Sequence, residues 1–311
     1  MSANKFLKLI KLLLTSVFVF FIIQYIFNNY QNLINYDFKI NIYFLLISLF
    51  ILIFSILYNL NLWHLITKIF KCNLDYSLSI TKRINSELGK YLPGRVLGYG
   101  YLYLIYKRRK KNIQGFIISS YYELLLTTLA SITLFSIIQN FIDYDYLKDY
   151  RLYFNAVGIF SFIIIHPKIV EYLIKILNTI KSDKIITNHI KNEYKNILII
   201  YFGYLTIWFL FGFAFYILVN SITNVSDTGF LYWTGLFSVS SFAGFLAFFM
   251  PSGLGAREGI LIILLSSIVG ETTAIIISIV SRLWIISGDL ILFGTVNLMV
   301  LSRKYILRMN K

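Results

Sequence analysis

The sequence predicts an all-α fold, a polytopic bundle of transmembrane helices with about seven to eight spans. Of the 311 residues, 58% are apolar and 14% charged, whereas soluble domains carry roughly a quarter charged residues. Lysine and arginine outnumber the acidic residues 29 to 14, which gives a net charge of +15. The apolar residues form runs of nearly bilayer length, and the connecting segments lack the alternation of strands. We therefore expect a membrane protein with basic cytoplasmic loops.

Six apolar runs come close to the roughly 20 residues that a helix needs to cross the hydrocarbon. They are Leu12–Phe27, Ile42–Leu60, Phe116–Ile138, Leu152–Ile165, Ile197–Val219 and Phe230–Met250. A seventh span is expected over Ala274–Leu301, whereas the decapeptide Ile260–Val269 is too short to cross alone. Lysines precede the first run as in a signal peptide, but no small residues follow it, so we expect a retained helix.

The charges of the loops predict the orientation of the chain. The loops at 139–151 and 220–229 are not basic, and they alternate with basic segments as the positive-inside rule requires. The basic segments are the N-terminal lysines, Lys68–Lys111, Lys168–Lys195 and Arg303–Lys311. This alternation predicts a multi-pass protein of the plasma membrane with both termini in the cytoplasm.

Two segments rich in proline and glycine interrupt the apolar sequence half a chain apart. Their helix-breaking residues are Pro93, Gly94 and Gly98 in the first, and Pro251, Gly253 and Gly255 in the second. Proline removes a backbone donor and glycine adopts unusual dihedrals, so we expect broken helices there. Paired interruptions of this kind mark the binding sites of transporters. We expect two re-entrant segments in a single domain over 1–311, and a two-repeat arrangement of 1–150 and 151–311 is compatible. For the first break, amphipathic helices lying on the cytoplasmic surface are the alternative.

Charged residues near these breaks and inside the spans form the candidate site. Arginine suits phosphate because its planar fork donates two parallel hydrogen bonds and stays charged. The candidates for binding a phosphate group are Lys90, Arg95, Arg257 and Arg282, and their candidate charge partners are Glu87, Glu123, Glu258 and Asp289. For Arg95 and Arg257 the alternative is a position at the cytoplasmic interface. For Glu123 we leave open a proton carrier or a structural pair.

Arg282 lies within the last apolar run, where an ionisable residue is costly to bury. Asp289 follows seven residues later on nearly the same helical face, about 10 Å away. That separation is too long for a direct ion pair. A structural pair between Arg282 and Glu258 is therefore the alternative to a role in binding.

These residues resemble the lysylphosphatidylglycerol synthase transmembrane family of flippase-like integral membrane proteins. A Pro-x-Gly-Leu-Gly-x-Arg-Glu element matches Pro251–Glu258, with Ser252 where the family has a glycine. Leu92–Arg95 and the pair Arg282-Leu283 match two shorter elements. The resemblance implies a helical bundle with re-entrant segments that moves or handles an anionic or polyprenyl-linked lipid. The soluble aminoacyl-transferase domain of the namesake proteins is missing from these 311 residues, so we do not expect this chain alone to attach an amino acid to a lipid.

Other function classes find less support in the sequence. The single cysteine and the scattered histidines predict neither a disulfide nor a metal site, and we expect no cofactor. There is no nucleotide-binding loop or catalytic triad, although Glu87 or Glu258 as a base in an embedded transferase stays open. Because the bases interleave with apolar runs, membrane lipids rather than nucleic acid are the expected partners.

We therefore predict a flippase-like protein for a phosphate-bearing lipid. The alternative is a membrane-embedded partner or subunit of a cell-surface glycosyl- or aminoacyl-transferase pathway. A separate transferase partner and a homo-oligomer are both compatible with the sequence.

Overall fold

Over the residues that it describes, the computed structural model of the chain is made up mainly of α-helices. It describes residues 40–91, 96–166, 193–223, 228–247 and 255–309, together with the isolated positions 20, 24, 27, 30, 34, 168, 169, 172, 225 and 253. No strand occurs among these residues, which confirms the all-α prediction. The helices are α1 Ile42–Ile69, α2 Tyr76–Glu87, α3 Val96–Arg108, α4 Ile113–Ile138, α5 Arg151–Ile164, α6 Tyr194–Ile222, α7 Phe230–Leu246, α8 Ala256–Val269 and α9 Glu271–Met309.

Four helices are long and apolar enough to cross a membrane: α1, α4, α6 and the part of α9 that ends at Val300. They coincide with four of the predicted runs, and the chain is thus a helical membrane protein. The predicted runs Leu152–Ile165 and Phe230–Met250 correspond to α5 and α7, which have 14 and 17 residues. The predicted Leu12–Phe27 span lies outside the described residues except for isolated positions.

The bundle is organised around α6, which runs antiparallel to α1. The backbone N–H of Asn41, which caps α1, donates to the carbonyl oxygen of Ser221 at the end of α6 at 2.8 Å. The Asn41 side chain also accepts from the first N–H groups of α1, which explains why the helix begins there. On its other sides α6 packs against α4 and α7, and α4 packs against α5. Large aromatic residues such as Phe135, Phe215 and Trp233 fill the core between them.

Helices end and begin on either side of both predicted breaks. We call Tyr76–Arg108, which contains α2 and α3, hairpin 1, and Phe230–Val269, which contains α7 and α8, hairpin 2. The 3₁₀ turn Leu88–Tyr91 continues α2. Both hairpins rest on α9. The predicted break residues Pro93, Gly94 and Pro251, and the candidate Arg95, lie outside the described residues.

Glycine brings the two limbs of each hairpin into backbone contact. In hairpin 1, a Cβ atom on Gly89 would lie 2.4 Å from the backbone nitrogen of Gly98. In hairpin 2, a Cβ atom on Gly253 would lie 2.5 Å from the carbonyl oxygen of Gly244. Gly253 and Gly255 also have φ values of +66° and +87°, which side chains disfavour. Of the glycines that the sequence marked as breaks, Gly98 and Gly253 are therefore required for close packing, and Gly253 and Gly255 for turning.

Candidate functional site

A cavity of about 210 Å³ lies where the two hairpins meet the long helices. One part of its wall is charged, and another part is apolar and largely aromatic. The charged and polar wall includes Arg83, Ser86, Glu87, Lys90, Tyr99, Glu123, Arg257 and Asp289. The apolar wall includes Leu52, Ile56, Leu124, Trp208, Phe211, Phe237, Phe245 and Ile285. Hairpin 1 supplies three of the six charged residues, while α1, α4, α6, α7 and α9 supply the apolar ones.

Arg83 of α2 is the most fully enclosed cation in the wall. Its guanidinium contacts Glu87 one turn further along α2 at 2.8 Å and Glu123 of α4 at 2.5 Å. The carbon of the guanidinium also lies 5.0 Å from the ring centre of Trp63 and 5.3 Å from that of Tyr99. With carboxylates and two rings around it, Arg83 fixes hairpin 1 to α4.

Glu123 is held from two helices of hairpin 1. Besides the contact with Arg83, its second carboxylate oxygen accepts a hydrogen bond from the Tyr99 hydroxyl at 2.9 Å. The carboxylate is buried. The carboxylate inside this long apolar helix is thus paired with a cation and a hydroxyl, because burying an unpaired charge in hydrocarbon is costly.

Lys90 joins hairpin 1 to α9. Its ammonium group lies 2.6 Å from the Asp289 carboxylate and 3.7 Å from that of Glu87. The Tyr91 hydroxyl donates to the same Asp289 oxygen as the lysine, at 2.5 Å. The side chain of Lys90 is 27% exposed whereas that of Asp289 is 2% exposed. Lys90 is therefore the more accessible member of this pair.

A second ion pair joins hairpin 2 to α9. Here the cation lies on α9 and the carboxylate lies on the hairpin. Arg282 of α9 donates to Glu258 of α8 at 2.5 Å, the pair that the sequence offered as the structural alternative. The other oxygen of Glu258 accepts from the backbone N–H of Gly255 at 2.8 Å, which caps α8. Arg282 is buried and is not among the described residues of the cavity wall.

Arg257, the second residue of α8, does line the cavity. It donates to the Ser281 hydroxyl of α9 at 3.2 Å, and its guanidinium carbon lies 5.0 Å from the ring centre of Phe237. Its side chain is buried among elements of hairpin 2 and α9. Arg257 is thus oriented by a hydroxyl and a ring within an apolar setting.

The structure brings together most of the residues that the sequence singled out. Lys90, Arg257, Glu87, Glu123 and Asp289 all line one cavity, as do Gly98 of the first break and Gly244, the packing partner of Gly253. Glu258 and Arg282 form the adjacent ion pair between α8 and α9.

Sequence reasoning missed three side chains of the site. From the sequence, Arg83 belongs to the basic segment Lys68–Lys111, Tyr99 has only an interfacial position in the alternative for the first break, and Tyr91 has no role. The i, i+4 spacing of Arg83 and Glu87 is the feature that points to Arg83, because such residues share one helical face.

Charge is balanced within the described wall of the cavity. Three basic side chains, Arg83, Lys90 and Arg257, face three acidic ones, Glu87, Glu123 and Asp289. A buried charge without compensation is costly, so balanced pairs stabilise the cavity in the absence of ligand. A phosphate could enter by replacing a carboxylate as the partner of a cation, since both are oxyanions that accept charge-assisted hydrogen bonds. Among the described residues, no group of three or more metal-ligating side chains occurs.

Fold and cavity together define the class of the protein: a helical membrane protein with an internal, ion-paired cavity between two broken-helix hairpins. Comparisons with protein-family models, with curated proteins and with solved structures gave no significant match. The resemblance based on residues 92–95, 251–258 and 282–283 therefore stays a prediction from sequence.

Proposed function

We propose that this protein is a flippase-like lipid translocase of the plasma membrane, which holds the phosphate of a phospholipid or polyprenyl-linked lipid in the cavity between its hairpins. The observation that carries the proposal is the composition of the cavity wall, which joins buried cations to an aromatic apolar surface. A lipid presents the same combination, a charged headgroup next to a hydrocarbon chain. A soluble ion would not need the apolar wall, and a hydrocarbon would not need the charges.

Two of the cations are suited to contact the phosphate. Lys90 is partly exposed at the wall, and its partner Asp289 is one of two carboxylates within 4 Å. Arg257 presents a planar fork beside the small residues Ser241 and Gly244 of α7. We assign Arg83 and Arg282 to positioning, because each is buried in a direct pair that fixes a hairpin to a long helix.

The depth of the ion pairs supports re-entrant hairpins. Glu123 is ten residues into α4, which places it about 15 Å from the start of that helix. Arg83 reaches it at 2.5 Å, so the end of α2 lies near half the hydrocarbon thickness. Helices lying flat on the cytoplasmic surface would not bring Arg83 to that depth. Hairpin 1 is therefore proposed to enter and leave the membrane on one side.

Hairpin 2 is proposed to enter from the opposite side. It follows α6, which runs antiparallel to α1, whereas hairpin 1 follows α1 itself. Glu258 of hairpin 2 meets Arg282 eleven residues into α9, about 17 Å from the start of that helix. The loop charges favour a cytoplasmic side for hairpin 1 and both termini. Two opposed insertions that meet at one cavity resemble the architecture in which transporters bind substrate near the bilayer midplane.

Reconstituted vesicles test the proposal. Wild-type protein is expected to speed the movement of a headgroup-labelled phospholipid between leaflets, read as the fraction that dithionite bleaches from outside. Arg257→Ala and Lys90→Ala should each slow it about 10- to 100-fold, which corresponds to losing one hydrogen bond to a charged group. Arg109→Ala, which removes an exposed arginine outside the cavity, is the matched control and should leave the rate unchanged. Wild-type movement no faster than that of empty vesicles, or unaltered rates in both cavity variants, would contradict the proposal.

A further inference from the structure

Leu124 is both a wall residue of the cavity and a residue of the outer surface. It lines the cavity beside Glu123, and 39% of its surface is exposed. The other seven apolar wall residues named above are buried or half-buried. Leu124 is the twelfth residue of the 26-residue helix α4, which is long and apolar enough to cross a membrane. In the proposed membrane orientation, this part of α4 lies near the middle of the hydrocarbon.

Two aromatic side chains of the same cavity wall are held by contacts of their own. Trp208 of α6 donates its ring N–H to the carbonyl oxygen of Thr127, one turn further along α4, at 2.8 Å. The ring of Phe245 of α7 meets the Trp208 ring edge to face, with centres 5.7 Å apart. Leu124 itself contributes an aliphatic side chain, which cannot form a hydrogen bond of this kind.

The size of the cavity bears on which part of a lipid it holds. Its volume of about 210 Å³ is below the roughly 300–1,000 Å³ of pockets for drug-sized ligands. A phosphate with its glycerol fits that volume, and a long acyl or prenyl chain does not. The chain of a bound lipid must therefore leave the cavity through an apolar opening.

We infer that Leu124 forms the rim of a lateral portal between the cavity and the hydrocarbon, through which the apolar chain of the bound lipid extends while its phosphate lies among the cations. This inference rests on the proposed function and names the route by which the same site is reached. The ligand class that follows is an amphiphile bound by head and chain together, and a free phosphate ester would use only the charged wall.

Binding of two ligands that share one headgroup tests the portal. Dioctanoyl phosphatidylglycerol and glycerol phosphate are titrated into the purified protein in detergent, and the dissociation constant is measured for each. Leu124→Trp is expected to raise the dissociation constant of the short-chain lipid about tenfold. That is the effect of displacing roughly two methylene groups from the apolar wall. It should leave glycerol phosphate binding unchanged. Leu124→Phe should act in the same direction with a smaller effect, which keeps the test available should the tryptophan variant fail to fold.

Ile117→Trp is the matched control. Ile117 lies on the same helix, is 40% exposed, and is not part of the cavity wall. Its substitution should change neither dissociation constant. Leu124 variants that retain helical content and bind both ligands as the wild type does, or that weaken both equally, would overturn the portal and leave the phosphate site standing. Wild-type protein that binds neither ligand would overturn the proposed function together with the portal.

Discussion

The buried pair between Arg282 and Glu258 gives a prediction whose size follows from the structure. The two side chains are 6% and 11% exposed, and they connect α9 to hairpin 2. Removing one partner of a buried ion pair leaves the other uncompensated and costs about 3–5 kcal/mol. Glu258→Gln keeps an oxygen that can accept from the Gly255 N–H, so this substitution isolates the loss of charge. Arg282→Met removes the cation with little change in volume.

Thermal unfolding in detergent, followed by circular dichroism, measures the effect. A shift of about 2 °C per kcal/mol in a chain of this size gives a fall in Tm of roughly 6–10 °C for each single variant. In the double variant, Tm is expected to fall by much less than the sum of the two single decreases, because neither member of the pair is left charged and unpaired. The exposed pair of Arg151 and Asp143 is the matched control, and Arg151→Met should cost at most about 1 kcal/mol. This reasoning would be refuted if each single variant lowered Tm as little as the control does. It would also be refuted if the double variant lowered Tm by the full sum of the two single decreases.

Three further predictions concern packing, thiol chemistry and orientation. Gly98→Ala should lower the yield of folded protein by forcing the limbs of hairpin 1 apart, whereas Gly100→Ala, where a Cβ atom meets nothing within 4 Å, should not; size-exclusion chromatography distinguishes the two. Burial raises the pKa of the Cys72 thiol to about 11. At pH 8 the thiol should therefore react with iodoacetamide about 100-fold more slowly than an exposed thiol, and the reaction should speed up as the pH rises toward 11. Equal rates for Cys72 and an exposed thiol would contradict the burial. In a Cys72→Ser background, Arg109→Cys should be protected from an impermeant maleimide added to whole cells, and Asp149→Cys should be labelled; the reverse pattern would invert the predicted orientation.

Much of the fold follows from apolar runs that are visible without coordinates. The runs Ile42–Leu60, Phe116–Ile138 and Ile197–Val219 became long helices because about 20 apolar residues leave the backbone no partner in lipid other than itself. The breaks were visible because two of the three prolines in the chain stand close to several glycines. What the runs could not give was the position of each hairpin against the long helices, which depends on contacts between residues far apart in sequence.

The candidate site was predictable where burial of a charge is costly. Glu123 and Arg282 stood out because an ionisable residue inside an apolar run requires a partner. Glu258 was already the candidate partner of Arg282, whereas the partner of Glu123 was missed, since Arg83 lies 40 residues before Glu123 and sits beside Lys82 in a basic segment. Composition alone assigns such an arginine to a cytoplasmic loop. Only the contact between Arg83 of α2 and Glu123 of α4 shows that Arg83 turns inward.

Photocrosslinking with a phospholipid that carries a diazirine in its headgroup tests most directly whether the cavity holds the lipid phosphate. The lipid is incorporated into vesicles with the wild-type protein, irradiated, and the modified residues are mapped by mass spectrometry. Labelling concentrated on wall residues such as Lys90, Ser241 and Arg257, and lost when excess unlabelled lipid competes, is the predicted result. Labelling confined to residues of the outer surface, with the charged wall unmodified, would contradict the proposed function.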